Sequence, residues 1–325
     1  MNSPAEVAAK QLAWDMESRK SVEVRFTYGM VNGEPDPSQP KALDTIVEHY
    51  IETAAGQKFY DFRGMKGDAI TYRSTHFGDG AKFTDINYDS KNIESQQLVY
   101  VKREFWMEEG SDRRQLPKPL LFLYVGRVPL YKALPKAEYL GKGEVIGREC
   151  NLFLFPQVRW FVTLDQVFYL DQATSVPLKV EAFRDQASRE KKEPLWVWTA
   201  QSLDKVQGHF VPLKSTQTSY LKDGSPETTW DFHVESIEFD KEYPASTFTP
   251  VFQPGVTVLD GFTNKTYEAP GVKKAVVNPP KATATTGQPI QAIPPRDWSA
   301  SAPILSLGLG AVILIVAGLL WRRSR

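Results

Sequence analysis

A chain of 325 residues, 42% hydrophobic and 24% charged, holds enough apolar material for one large or two ordinary folded units, and its composition is not that of a disordered polymer. Its 39 Lys and Arg balance its 39 Asp and Glu, which removes the electrostatic case for a nucleic-acid partner. A single cysteine, Cys150, excludes an internal disulfide and leaves the redox compartment open.

In chain order, residues 4–19 predict an amphipathic helix. Ser3, Pro4 and Glu6 form its start, with an N-cap, a proline in the first turn and a capping-box glutamate. Ala8, Leu12 and Met16 lie four apart, flanked by Ala5 and Ala9. The period then changes to two. In "SVEVRFTY", Val22, Val24, Phe26 and Tyr28 share one face and Glu23, Arg25 and Thr27 the other, the pattern of an antiparallel strand with one face buried. "VNGEPDPSQP" is a Gly- and Pro-built loop.

Strands are predicted near 44–54, 57–63, 68–76, 81–88 and 97–106, with "AAGQKFYDF" and "FGDGAKF" as hairpin connections. Residues 107–119 form a charged loop. Residues 120–140, apolar but interrupted by Pro129 and Pro135, predict short helical turns. Strands resume at "GEVIGRECNLFLF" and run to about residue 240. "LWVWTA" places Trp196 and Trp198 on one face. "TWDFHVESIEF" aligns Trp230, Phe232 and Val234, then shifts phase to Ile237 and Phe239, which predicts a bulge or bend.

About eleven strands follow one another without intervening helices, so the expected fold is mainly β (α+β): a single, strongly curved antiparallel sheet with an N-terminal helix and a short helical insertion. From residue 267 to 301 a stretch rich in Pro, Ala, Thr and Lys predicts a disordered tether. Residues 302–321 are then uncharged over the length of a bilayer-spanning helix. Trp298 and Trp321 bracket this span and Arg322, Arg323 and Arg325 follow it, which predicts a cytoplasmic basic tail at 322–325 and a main domain, 1–266, outside the cytoplasm. The opening residues carry no signal-peptide pattern, so a tail-anchored protein with a cytoplasmic domain stays open beside a periplasmic one. Ser306 and Gly310 form a small-xxx-small pair suited to helix pairing with a membrane-protein partner.

The hairpin Leu170-Asp171-x-x-Thr174-x-x-Pro177-Leu178-Lys179-Val180 resembles the LolA/LolB-like lipoprotein-carrier superfamily, which includes the RseB/MucB-type periplasmic regulators. The preceding strand, with Gly147 and Cys150, and the later "FVPLKSTQTSYLKDG" and "VESIEFDKEYPASTFTP" are similar to that group as well, so the resemblance covers residues 4–252. It implies a half-open β barrel capped by helices, with an apolar cavity for acyl chains. The visible membrane span, the charged loop at 107–119 and the absence of a visible signal peptide depart from the pattern of a freely diffusing carrier.

Chemistry-bearing motifs are sparse. His49, His76, His209 and His233 have no metal-ligand spacing and no cysteine cluster beside them. Neither a nucleophile elbow nor a phosphate-binding loop is present. Asp171 reads as the cap of a hairpin turn, and Cys150 as a core residue. The expectation is a binding protein with no catalytic residue, metal or cofactor. Its ligand would be a lipid or lipoprotein acyl chain lying against Val24, Phe26, Tyr28, Trp196, Trp198, Trp230 and Phe232. A sensor module that binds a membrane protein is the alternative, and a hydrolase using Asp171 or His233 has the least support. The aromatics of the folded part, Trp14, Trp106 and Trp160 among them, also suit plain core packing. Whether the hairpin at 168–183 walls a groove or a packed core is left to the structure.

Overall fold

The computed structural model describes residues 3–32, 45–79, 82–103, 120–126, 128–159 and 163–270. The charged loop at 107–119, the remainder of the tether, Trp106, Trp160, and the span at 302–321 with Ser306 and Gly310 lie outside the described residues. No described helix is long and apolar enough to cross a membrane.

Helix α1 (Pro4–Ser18) starts as its capping box dictates, with the Ser3 hydroxyl accepting from the Glu6 N–H and the Glu6 carboxylate accepting from the Ser3 N–H. Six strands follow as a meander: β1 (Ser21–Asn32), β2 (Thr45–Thr53), β3 (Lys58–Lys66), β4 (Ala69–Gly78), β5 (Lys82–Asp89) and β6 (Asn92–Arg103). The β2–β3 connection closes on Gly56 at φ 78°, a left-handed position that only glycine takes without strain.

The insertion consists of a 3-10 turn (Leu120–Leu123), a two-strand clip β7 (Tyr124–Val125) and β8 (Val128–Pro129), helix α2 (Leu130–Ala133) and a second 3-10 turn (Leu134–Lys136). The second meander contains β9 (Glu138–Val145), β10 (Arg148–Arg159), β11 (Thr163–Asp171), β12 (Pro177–Phe183), helix α3 (Gln186–Glu190) and β13 (Trp196–Ala200). It continues through the small hairpin β14 (Asp204–Val206) and β15 (His209–Val211) to β16 (Lys214–Tyr220) and β17 (Pro226–Phe239). A 3-10 turn (Ala245–Phe248), β18 (Thr257–Asp260) and β19 (Lys265–Glu268) end the described chain.

Fifteen strands form one sheet in the order β19-β18-β6-β5-β4-β3-β2-β1-β17-β16-β13-β12-β11-β10-β9. The two meanders are joined where β1 pairs antiparallel with β17. There Arg25 faces Ser236 and Phe26 faces Val234, so Glu235 is an extra residue and β17 carries the bulge that its phase shift predicts. The end strands β9 and β19 do not pair with each other, so the sheet is curved but forms no closed barrel. Residues from β1–β3 and from β9–β13 and β17 share a core cluster with α1 and the insertion, which requires the sheet to wrap around both.

Three features differ from the sequence reading. The six strands of two to four residues (β7, β8, β14, β15, β18 and β19) are too short to show an alternation, and they stand beside thirteen longer strands where the sequence suggests about eleven. Strand β18 pairs parallel with β6, and Val256 and Val258 pack there on Ile86, Val99 and Val101 against the other face of the sheet. Strand β19 carries the sheet past residue 266, where the sequence places the domain's end, and Ala269 is buried.

Candidate functional site: the concave face

Residues directly opposite one another on paired strands share a sheet face. The registers therefore draw a continuous row across eight strands: Tyr139, Phe153, Phe168, Val180, Trp198, Gln217, Trp230 and Met30. This row runs under α1 and the insertion. Phe153, Phe168, Val180 and Trp198 are buried, and Trp230 is 9% exposed.

Each candidate lining residue sits on this face or packs into its cluster. Tyr28 is the hub, with ring centroids 5.7 Å from Phe26, 5.8 Å from Trp230 and 5.1 Å from Phe232. Val24 lies opposite Tyr50 and Ile237. Trp196 and Trp198 meet through Phe122 of the insertion, at 6.1 and 4.5 Å. All seven are buried or half-buried under the cover. The hairpin at 168–183 contributes Phe168, Leu170, Leu178 and Val180 to the same cluster. Among the described residues, the indole N–H groups of Trp198 and Trp230 have no hydrogen-bond partner. Trp14, by contrast, is 71% exposed on the outer side of α1, off the Ala8–Leu12 stripe.

The cover is held by side chains. Ala8 and Leu12 are the buried residues of α1, with Ala5, Ala9 and Met16 packed beside them. The Gln11 amide donates to the carbonyl of Ala173 at 2.9 Å and accepts from the Ser175 hydroxyl at 2.9 Å, which docks α1 on the β11–β12 turn. Asp15 bonds His209 at 2.6 Å and pairs with Arg19. Asp171 holds that turn: its carboxylate accepts from the Thr174 N–H and hydroxyl and takes a two-pronged bond from Arg148 at 2.8 and 3.0 Å. Burial pushes the Asp171 carboxyl up, but Arg148 and Thr174 more than offset it, and the group lies below the ordinary aspartate range. Asp171 is thus the turn cap that its position predicts.

Across β2–β5 the same face turns polar, which the sequence reading missed. Glu48 is fully buried and opposite both Phe26 and Phe62; its Oε1 accepts from the Tyr28 hydroxyl at 2.8 Å. Tyr60 also bonds Glu48. Burial, and then the Glu48 charge, holds the Tyr28 and Tyr60 phenols well above the ordinary tyrosine value, so both remain donors. Further along, His76 Nδ1 meets Asp85 at 2.8 Å and its Nε2 meets the Ser74 hydroxyl at 3.3 Å.

At the rim, where the C-terminal end of α1 meets the start of β1 and the end of β2, a cleft of about 240 Å³ opens. Met16, Val22, Leu123 and Tyr124 supply its apolar walls, and Arg19, Glu52 and Thr53 its polar ones.

His49 bonds Glu23 at 2.7 Å, and His233 is exposed. Cys150 is buried, which pushes its thiol up to about 11 and keeps it protonated at neutral pH. Among the described residues, no group of three or more His, Cys, Asp or Glu is placed to hold a metal ion.

Neither a known family model nor a curated protein matches the chain. Solved structures do. A DUF1329 family protein from Desulfovibrio piger is 11% identical, with 76% of this chain and 98% of that one covered and a TM-score of 0.48. A LolA superfamily protein from Nitrosomonas europaea is 10% identical over 77% and 99%, with a TM-score of 0.44. MucB is 11% identical over 77% and 64%, with a TM-score of 0.29. One of these, the Nitrosomonas protein, carries the name of the superfamily that the hairpin motif resembles. At this identity and overlap they assign neither ligand nor partner.

Proposed function

We propose that the chain is a non-catalytic binding protein whose concave face holds an acyl chain of a lipid or lipoprotein. The observation that carries this reading is the junction between cover and sheet. A row that is apolar but for Gln217 crosses eight strands beneath a helix fixed to the sheet by side-chain contacts. Lifting α1 breaks none of the backbone ladder. On the helix side it exposes mainly Leu12, Met16 and alanines and breaks the Gln11 and Asp15 bonds, and an incoming chain that covers the sheet in their place returns about 0.8 kcal/mol for each buried CH₂. Val24, Phe26, Tyr28, Trp196, Trp198, Trp230 and Phe232 would line the opened groove. The domain would work outside the cytoplasm, held to the membrane through residues 302–321.

Native mass spectrometry of the full chain, with lipid extraction of the same sample, tests the reading. Lipid in near one-to-one amount is the expected result. A protein that stays ligand-free after incubation with lipids and lipopeptides would overturn it and turn attention to a protein partner.

A further inference from the structure

We infer that the rim cleft is a headgroup site for a zwitterionic amphiphile of the phosphoethanolamine class, with the phosphate at Arg19 and the ammonium at Glu52. This rests on the acyl-chain reading for the tail and on the cleft alone for the head.

Size argues first. At about 240 Å³ the cleft falls below the roughly 300–1,000 Å³ of pockets for drug-sized ligands, so it suits a compact polar group. Charge argues second. The cleft presents one cation and one anion, Arg19 and Glu52. A purely anionic group would meet the Glu52 carboxylate, and a purely cationic one the Arg19 guanidinium. A ligand carrying both signs meets each with its opposite.

Both side chains are held in place. The Arg19 side chain is 10% exposed, lies 4.8 Å over the Phe239 ring and is paired with Asp15, yet its Nε has no hydrogen-bond partner among the described residues. An oriented planar guanidinium with unused donor capacity is the group best suited to phosphate oxygens. Glu52 accepts from the Tyr50 hydroxyl at 2.7 Å and pairs with Lys58 at 3.4 Å, and it is 27% exposed, enough to add an ammonium partner. Continuity argues third. Val22 is opposite Glu52 on the concave face and two residues from Val24, so the cleft's apolar wall leads onto the proposed tail groove.

The test measures binding of short-chain, water-soluble lipids with identical dioctanoyl tails to the full chain. The probes carry phosphoethanolamine, phosphoglycerol or no phosphate, and free glycerophosphoethanolamine is the tail-free control. The phosphoethanolamine lipid is expected to bind about tenfold tighter than the other two, with Arg19→Gln and Glu52→Gln each collapsing that preference. Arg19→Lys, which keeps the charge but loses the planar fork, serves if Arg19→Gln does not fold, and an intermediate preference is expected. Equal affinity for all three lipids would overturn the headgroup site and leave the acyl reading standing. Tightest binding of phosphoglycerol would replace the zwitterionic site with a simple anion site. Binding of free glycerophosphoethanolamine without any tail contribution would sustain the cleft and overturn the acyl reading. A preference that survives both glutamine variants would place the headgroup elsewhere and refute the assignment.

Discussion

The two halves of the concave face are held by different means, one fully buried and the other grading from buried Glu48 and Tyr60 to half-buried His76 and Asp85. On the side of β10–β13 the face is Phe153, Phe168, Val180 and Trp198, joined by packing alone. On the side of β2–β5 it is Glu48, Tyr60, His76 and Asp85, joined by short directed hydrogen bonds. Packing is non-directional and can be exchanged for contact with another apolar chain. A buried carboxylate cannot exchange its partners so cheaply, because a lost hydrogen bond leaves an unsatisfied charge. On the proposed reading, the exchangeable half would take the ligand, and the polar half would fix the sheet's curvature and the inner limit of the groove.

The largest expected effect comes from Trp198→Ala in the apolar half. Removing a fully buried indole should cost about 3–5 kcal/mol in urea unfolding and abolish acyl binding. In the polar half, Glu48→Ala should cost about 1–3 kcal/mol for each of the Tyr28 and Tyr60 hydroxyls that loses its acceptor, while acyl affinity measured on the folded fraction stays unchanged. Equal loss of binding in both variants would erase the distinction between the halves.

Acid offers a test on the opposite face. Burial raises the Glu23 carboxyl, but bonds from Lys241, Tyr243 and His49 outweigh it and bring the group down to about 2 from 4.5. Its folded-state value is depressed, so its stabilisation is complete above pH 4.5 and is lost as the pH falls toward 2. Thermal unfolding between those limits should show a shallower acid loss in Glu23→Gln than in the parent protein. A parallel pair of curves would contradict the assigned cause.

The smallest expected effect is a gain. Ile146 and Gly147 form the two-residue turn between β9 and β10, at φ 47° and 73°. A β-branched residue is strained at positive φ, and Asn-Gly is the favoured pair there. Ile146→Asn should add up to about 1 kcal/mol and leave ligand binding untouched, as measured by urea unfolding and lipid titration.

Much of the apolar half was legible in the sequence because grease and period act together there. The capping box set α1, the alternation of Val22 to Tyr28 set β1, and the phase shift in β17 marked its bulge. The polar half was not legible. In "TIVEHYIET" both parities carry apolar residues, Ile46 and Tyr50 on one and Val47 and Ile51 on the other, so nothing marks Glu48 as the inward one. The neighbouring strand decides it, through Phe26 and Phe62 in register. Trp14 shows the reverse failure: a large aromatic whose residue type suits the core lies outside the helix's buried stripe. The rim cleft is assembled from α1, β1, β2 and the insertion, and no local pattern could announce it.

The central claim, that an acyl chain displaces packing along the Trp198–Trp230 row, is tested most directly by tryptophan quenching with a bromine-labelled fatty acid kept below its micelle concentration. Strong saturable quenching is expected in the full chain, with most of it lost in the Trp198→Phe, Trp230→Phe double variant. Quenching that persists unchanged in that variant, or that never saturates, would contradict the account and leave the concave face an ordinary packed core.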